Sequence, residues 1–337
     1  MGLDRNLQRP VRLTLKRQSA SYYIDGILKQ DRVILSQAIT LIESTRKEDY
    51  QLAQEVIEGC LPHTGNSTRI GITGVPGVGK STFIEAFGKE LTSQGNKVAV
   101  LAIDPTSQSS RGSILGDKTR MNELATDANA FIRPSASGNT LGGVAQKTQE
   151  SLLLCEAAGY NYIIIETVGV GQSETEVKNL TDFFLLLMIA GAGDELQGIK
   201  RGIMEMADAI LINKAEGDIL PLAKQAQRAY KNAIHLFPPK DSDWIVPVEL
   251  CSALNKTGIK EVISIIESYK NKTTINGYFE ENRNKQQIHW FTKKLNELIL
   301  QDFYNESNNQ DRIEKLKQAI LSKQISPFDA ANKAIDR

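Results

Sequence analysis

Short runs of aliphatic and β-branched residues alternate with helical or glycine-rich stretches through the middle of the chain. This alternation predicts a mainly parallel β-sheet flanked by helices. The predicted strands are 69–73, 97–103, 162–166, 183–189 and 209–213. The longest apolar run, Phe183 to Ala192, is shorter than the ~20 residues that span a bilayer, so we interpret it as a strand buried on both faces.

The two ends of the chain show helical spacing instead. From Asp31 onward apolar residues recur every three or four positions, and Gly59 is predicted to cap the end of a second helix. After residue 258 the pattern predicts only helices, at 259–269, 285–304, 310–322 and 326–336. We therefore expect a helical N-terminal extension (1–64), a central α/β domain (65–258) and a helical C-terminal arm (259–337).

Composition and charge exclude several classes of protein. Of the 337 residues, 41% are hydrophobic and 24% charged, which is typical of globular chains rather than disordered ones. Forty basic residues balance forty acidic ones, so we expect neither nucleic acid nor a membrane as partner. Three scattered cysteines indicate free thiols, and the N-terminus lacks the apolar core of a signal peptide, which together favour a cytoplasmic protein.

A phosphate-binding loop lies between the first predicted strand and a helix. Residues 74–81, Gly-Val-Pro-Gly-Val-Gly-Lys-Ser, match the P-loop pattern in full, and Thr82 continues into the helix. The glycines let backbone N–H groups turn toward an anion, Lys80 brings a positive charge to the β- and γ-phosphates, and Ser81 offers a hydroxyl to Mg²⁺. This motif predicts a P-loop NTPase fold. The expected nucleotide-binding residues are Gly74, Val75, Pro76, Gly77, Val78, Gly79, Lys80, Ser81 and Thr82.

Carboxylates follow two of the predicted strands. Asp104 ends one strand and Glu166 ends another, where ligands bind in open α/β sheets, and Glu166 is followed by a flexible Thr-Val-Gly segment. This arrangement resembles the Walker B element and suits Mg²⁺. Asp117 is a further carboxylate in a loop-like region, and its position alone does not distinguish a functional carboxylate from a solvated one. Gln172 could position a water molecule, although it lies two residues beyond the usual spacing.

The residues that are expected to recognise the nucleotide base follow the predicted strand 209–213. Asn213-Lys214-Ala215-Glu216 stands where guanine-specific P-loop proteins carry Asn-Lys-x-Asp, and the carboxylate there accepts hydrogen bonds from guanine that adenine cannot donate. Glu216 is one methylene longer than the usual aspartate. The Ser252-Ala253 pair fits the loop that closes over guanine. We expect GTP and GDP rather than ATP.

Taken in order, these blocks resemble the GTPase chaperones of adenosylcobalamin-dependent methylmalonyl-CoA mutase, also called LAO/AO transport system kinases. The resemblance covers roughly residues 30 to 337. The matching blocks are 74–81, 102–105, 114–121, 142–144, 166–174, 191–200 and 213–215.

This resemblance implies a SIMIBI-type P-loop GTPase that works as a homodimer through its C-terminal helices. It implies Mg²⁺ contacts from Ser81, Asp104, Asp117 and Glu166, and a switch at 191–200 in which Glu195 and Lys200 link the nucleotide state to the mutase. It also implies that GTP hydrolysis, slow alone and stimulated by the partner, gates cofactor delivery to the mutase.

Three other functions remain open at this point. One is a GTPase that inserts nickel, which calls for paired Cys or His that the three scattered cysteines and three scattered histidines do not supply. Another is an ATP-dependent kinase of a transport protein. The last is a structural dimer that holds its nucleotide statically. The Asn213-Lys214 pair and the glycine-rich loops near 169 and 191 favour a GTP-dependent switch over these alternatives.

Overall fold

A single parallel sheet of seven strands forms the centre of the described structure. The computed structural model describes residues 17–103, 121–133, 141–167, 173–191 and 201–335. The strands are β1 (Thr68–Gly74), β2 (Val98–Ile103), β3 (Ala130–Arg133), β4 (Tyr162–Thr167), β5 (Phe183–Ile189), β6 (Ala209–Asn213) and β7 (Val248–Leu250), and their spatial order is β3-β2-β4-β1-β5-β6-β7. The predicted α/β fold of a P-loop NTPase is confirmed. The sequence pattern missed β3, because its four residues are too few to show a period.

Helices alternate with the strands along the chain, and further helices precede the first strand and follow the last one. In chain order they are α1 (Ala20–Leu28), α2 (Arg32–Ile42), α3 (Lys47–Cys60), α4 (Lys80–Ser93), α5 (Asn122–Ala125), α6 (Leu141–Ala157), α7 (Ser173–Lys178), α8 (Arg201–Met206), α9 (Leu220–Ile234), α10 (Ile259–Ile275), α11 (Tyr278–Asn305), α12 (Ser307–Leu321) and α13 (Pro327–Ile335). The first three pack on one another and on α6. None of the described helices is long and apolar enough to cross a bilayer.

Gly59 lies inside α3, so the predicted cap at this position is wrong. A Cβ atom at Gly59 would lie 2.4 Å from Cδ1 of Ile24. A larger residue at position 59 would have to displace the Ile24 side chain where α1 packs on α3, and the helix continues to Cys60 before a 3₁₀ turn at Leu61–His63 ends it.

The chain divides into two compact units at a different place from the boundary expected from the sequence. One unit runs to Asn276 and contains the sheet, the N-terminal helices and α10, which packs on α4. The other unit, from Gly277 onward, contains α11, α12 and α13. Within it α12 contacts both of the other helices.

Charged residues hold the amino edge of the sheet, where the strands begin. Asp208 precedes β6 and accepts bonds from Nζ of Lys178 (2.5 Å), Nζ of Lys240 (2.7 Å) and the backbone N–H of Phe184 (2.9 Å). Burial raises the pKa of Asp208, but the two lysines outweigh it, and the pKa is lowered overall. This network fixes the starts of β5 and β6.

A second ion pair lies beside the start of β1. The carboxylate of Glu156 accepts two bonds from the guanidinium of Arg69 (2.9 and 3.0 Å) and one from the hydroxyl of Ser67 (2.5 Å). Burial raises the pKa of Glu156, and these donors more than offset it. Both networks lie at the amino edge of the sheet, and the predicted phosphate-binding residues lie at the opposite, carboxyl edge.

Candidate nucleotide-binding site

The parallel register brings the ends of four strands to the same edge of the sheet. Ile72 of β1 lies opposite Glu166 of β4, and Gly74 lies opposite Leu187 of β5. Asn213, the last residue of β6, pairs with Ile189 of β5. The predicted P-loop, Walker B carboxylate and base-recognition segment therefore converge at the carboxyl edge, where ligands bind in open α/β folds.

The loop between β1 and α4 has the backbone geometry that its glycines predict. A Cβ at Gly74 would lie 2.5 Å from the carbonyl oxygen of Leu187, so no larger residue fits there. Gly79 has φ of 91° and directly precedes α4, which begins at Lys80. Within the loop, Val75 and Val78 are buried, whereas Pro76 and Gly77 are exposed. In the helix that follows, Ser81 is half-buried and Thr82 is exposed. Ser81 and Thr82 occupy the first turn of α4, where free backbone N–H groups attract anions.

Lys80 folds back over the loop. Its Nζ donates to the carbonyl oxygen of Gly74 at 3.0 Å. Burial lowers the pKa of Lys80, and the negative charges of Glu166 and Glu174 partly oppose that effect. The ammonium group is therefore held near a carbonyl that it can leave for a stronger, anionic acceptor.

Two acidic side chains lie near Lys80, and the sequence analysis assigned a role to only one. Glu166 at the end of β4 is 6% exposed, as expected for a carboxylate that closes a buried strand. Glu174, in the first turn of α7, is 3% exposed. It falls within the 166–174 block, but nothing in its spacing indicated that it would lie near the P-loop lysine.

The side chain of Asn213 forms a brace, a set of hydrogen bonds that joins its own segment to the P-loop and to residues 251–253. Its Nδ2 donates to the carbonyl of Val78 (2.8 Å), and its Oδ1 accepts from the N–H of Ala253 (3.1 Å) and the thiol of Cys251 (3.5 Å). Asn213 is only 1% exposed. It therefore ties the P-loop to the two segments that are expected to surround the base.

Lys214 and Glu216 follow Asn213 in the base-recognition segment and make hydrogen bonds of their own. Nζ of Lys214 donates to the carbonyl of Gly77 (2.8 Å), which lays the aliphatic part of the side chain along the P-loop. The hydroxyl of Ser252 bonds to Oε2 of Glu216 and also accepts from the N–H of Asn255 at 3.0 Å. Ser252 is fully buried, so one oxygen of the longer carboxylate is fixed from below.

Five residues with a predicted role lie outside the described part of the chain. They are the metal candidates Asp104 and Asp117, the water-positioning candidate Gln172, and Glu195 and Lys200 of the predicted switch, of which only Gly191 is described. Among the described residues, this edge of the sheet brings together a glycine-rich loop at the start of a helix, the lysine Lys80, the hydroxyl of Ser81, and the carboxylates of Glu166 and Glu216. This is the chemistry of nucleotide binding.

Comparisons with known proteins identify relatives of this chain. The family model "Methylmalonyl Co-A mutase-associated GTPase MeaB" matches residues 35–308. "GTPase ArgK" of Escherichia coli is 46% identical over 292 residues, which is 87% of each chain. The mouse "Methylmalonic aciduria type A homolog, mitochondrial" is 42% identical over 317 residues, covering 91% of this chain and 76% of the mouse protein.

A solved structure gives the same result for the fold. The crystal structure of an LAO/AO transport system kinase superposes with a TM-score of 0.77 at 37% identity, covering 95% of this chain and 97% of that one. The match spans the sheet, the P-loop and the base-recognition segment. The chain therefore belongs to the MeaB family of methylmalonyl-CoA mutase-associated GTPases.

Proposed function

We propose that this protein is a GTP-hydrolysing chaperone of an adenosylcobalamin-dependent acyl-CoA mutase, and that its nucleotide state gates cofactor delivery to that mutase. The observation that carries the proposal is the brace at Asn213, which joins the phosphate loop to the base-recognition segments. A movement of the P-loop that follows a change at the phosphates would be passed to the base-recognition segments through the hydrogen bonds of Asn213. The name of the matching family supports the choice of partner.

Guanine selection is assigned to Glu216. A carboxylate can accept from both the ring N–H and the exocyclic amine of guanine, whereas adenine presents an acceptor at the ring position. Because the hydroxyl of Ser252 holds Oε2, the position of the longer side chain is restricted, and Oε1 together with the remaining acceptor capacity of Oε2 is left for the two donors of the base. The aliphatic part of Lys214 would cover one face of the ring.

Mg²⁺ fits the donors at the phosphate end. Ser81 and Glu166 provide hard oxygen ligands, which Mg²⁺ prefers, and Glu166 lies close enough to influence the charge of Lys80. Asp104 and Asp117 would complete the set. When bound, the ion would neutralise charge on the β- and γ-phosphates. Lys80 would leave the Gly74 carbonyl for a phosphate oxygen, and the loop N–H groups would orient the chain of phosphates.

We assign slow hydrolysis to the isolated protein and faster hydrolysis to its complex with the mutase. In that difference, the role of Gln172 in positioning water rests on its place in the sequence after the Walker B segment, and the roles of Glu195 and Lys200 rest on the family resemblance. Cobalamin would be bound by the mutase, since none of the three histidines of this chain lies in an Asp-x-His-x-x-Gly motif.

A homodimer through the C-terminal unit has support from one helix face. Along α11, Ile288, Phe291, Leu295 and Leu298 follow a 3-4-3 spacing and are all exposed. Such spacing produces an apolar stripe that packs against a second helix. A second copy of the chain would bury it.

The first test measures GTP and ATP hydrolysis by the purified chain, alone and with an adenosylcobalamin-dependent mutase. We expect GTP turnover that the mutase stimulates, and Lys80→Ala as a background control. Stimulated ATP turnover instead would favour the kinase alternative. No stimulation by methylmalonyl-, isobutyryl- or ethylmalonyl-type mutases would contradict the chaperone proposal.

A second test addresses the base. Glu216→Ala should weaken GTP binding at least about tenfold, since a charge-assisted hydrogen bond contributes roughly 1.5–3 kcal/mol. Binding of inosine triphosphate, which lacks the exocyclic amine, should weaken less. Asp218→Asn, two residues along the same loop, is the matched control. Equal losses for both nucleotides would argue against Glu216 as the base-reading carboxylate.

A further inference from the structure

Two threonine hydroxyls meet beneath the phosphate site. Thr73 is the residue before Gly74 at the end of β1, and Thr167 is the residue after Glu166 at the end of β4. The hydroxyl of Thr167 donates to that of Thr73 at 2.9 Å. Thr73 is 2% exposed and Thr167 is fully buried. This bond joins the two strand ends that carry the phosphate loop and the predicted metal carboxylate.

The surroundings show why these hydroxyls need one another. Thr73 shares a face of β1 with Gly71, where a Cβ would lie 2.8 Å from side-chain atoms of both Phe184 and Val177 and 3.1 Å from the hydroxyl oxygen of Thr181. A buried hydroxyl in such close packing costs free energy unless it is hydrogen-bonded. Valine has the same shape and would fill either position without that cost, so packing alone does not explain a pair of threonines.

We propose that Thr167 is a positioning residue, which through its bond to Thr73 fixes the distance between the phosphate loop and Glu166. The inference rests on the proposed GTPase function. The α- and β-phosphates would be held mainly by the loop N–H groups and the start of α4, with Lys80 and the metal ion shared between the β- and γ-phosphates. The γ-phosphate would lie between Lys80, the first residue of α4, and Glu166 near the end of β4, so it depends most on the distance between these two residues. A change in the spacing of β1 and β4 would therefore weaken GTP binding while leaving GDP binding in place.

The test compares GTP and GDP affinities, each measured by calorimetry with Mg²⁺ present, across four variants. In Thr167→Val we expect GTP affinity to fall about fivefold to tenfold, as for the loss of one buried hydrogen bond, and GDP affinity to change less than about twofold. Thr167→Ser keeps the hydroxyl and should retain the wild-type ratio of affinities. Thr273→Val is the matched control, because its buried hydroxyl bonds only within α10, to the carbonyls of Tyr269 (2.8 Å) and Lys270 (3.3 Å).

The double variant Thr73→Val/Thr167→Val separates positioning from stability. Replacing both partners removes the unpaired hydroxyl, so thermal stability should recover relative to Thr167→Val alone. The GTP-to-GDP affinity ratio should stay low, because the bond is still absent. If the ratio recovers together with stability, or if GTP and GDP affinities fall in parallel in Thr167→Val, the bond is only structural and the inference is overturned. A wild-type protein that binds neither guanine nucleotide would instead contradict the proposed function.

Discussion

The amino and carboxyl edges of the same sheet both hold charged side chains in partly or fully buried positions, but the partners of those charges differ. At the amino edge, Asp208 contacts the ammonium groups of Lys178 and Lys240, and Arg69 contacts the carboxylate of Glu156. At the carboxyl edge, the described bonds of Lys80 and Lys214 run to the backbone carbonyls of the P-loop. The first edge pairs opposite charges, and the second pairs lysines with neutral acceptors.

The difference separates structural charges from charges that are available to a ligand. An ion pair with several hydrogen bonds recovers much of the cost of burying its members, so replacing either member is expensive. A lysine whose hydrogen bond goes to a carbonyl has no ion-pair partner in that bond, and the charge of Lys80 is only partly offset by the nearby Glu166 and Glu174. Such a lysine gains strongly when a phosphate replaces the carbonyl. The carboxyl edge is therefore preorganised for an anion, while the amino edge holds the strands in place.

The largest effect should follow from Lys80→Ala. We expect GTP affinity to fall about 1000-fold, equivalent to about 4 kcal/mol, because a charge-assisted contact with phosphate is lost in a dehydrated site. The free energy of unfolding should change by less than about 1 kcal/mol. Fluorescence titration with a labelled guanine nucleotide and urea denaturation measure the two quantities.

Lys89→Ala provides the control for this variant, since Lys89 lies on the same helix and bonds to Asp127, away from the P-loop. It should keep wild-type GTP affinity. Unchanged GTP binding by a folded Lys80→Ala protein would contradict the assignment of the site.

The reverse result is expected for Asp208→Asn. Two half-buried lysines lose their carboxylate, so the free energy of unfolding should fall by about 3 kcal/mol at neutral pH, with GTP affinity unchanged in the folded protein. Burial lowers the pKa of Lys240, and Asp208 at present opposes that shift. Without Asp208 the pKa of Lys240 falls further below its unfolded value.

This change gives the variant a pH dependence of known sign. A lysine whose pKa is depressed in the folded state destabilises the fold while it must be protonated, and the penalty disappears as the pH rises through its unfolded pKa. The stability deficit of Asp208→Asn should therefore shrink between pH 7 and pH 10. A deficit that grows over this range would show that the lysines are not the cause.

The same comparison explains which parts of the molecule the sequence could predict. The P-loop was predicted residue by residue, because its conformation depends on glycines within eight consecutive positions. The five longest strands were predicted because runs of aliphatic and β-branched residues mark them. The ion pairs at the amino edge join residues far apart in sequence, such as Arg69 and Glu156, and no local pattern marks them.

The site itself shows the same limit. Asn213, Lys214 and Glu216 were recognised as a motif, yet the brace from Asn213 to Val78 spans 135 positions and follows only from the strand order. Glu174 and the Thr73–Thr167 bond were missed for this reason. Single polar residues beside a motif acquire meaning only when the register brings two strand ends together.

The smallest effect tests whether a more exposed ion pair at the amino edge behaves like the buried ones. Asp127 precedes β3 and accepts bonds from Nζ of Lys89 (2.6 Å) and the hydroxyl of Thr92 (2.8 Å). The bond from Lys89 is the main cause that lowers the pKa of Asp127 to about 2 from its usual 3.8. A carboxylate whose pKa is lowered by folding stabilises the fold above its unfolded pKa, and that contribution is lost as the pH falls toward 2.

Asp127→Asn should therefore lower the free energy of unfolding by about 1 kcal/mol at pH 7, as measured by urea denaturation. The difference in the free energy of unfolding between the variant and the wild type should narrow between pH 4 and pH 2. GTP affinity at pH 7 should not change, because the pair lies at the edge away from the phosphate loop. If this substitution altered nucleotide binding as strongly as Lys80→Ala, the division between a structural edge and a ligand-binding edge would be wrong.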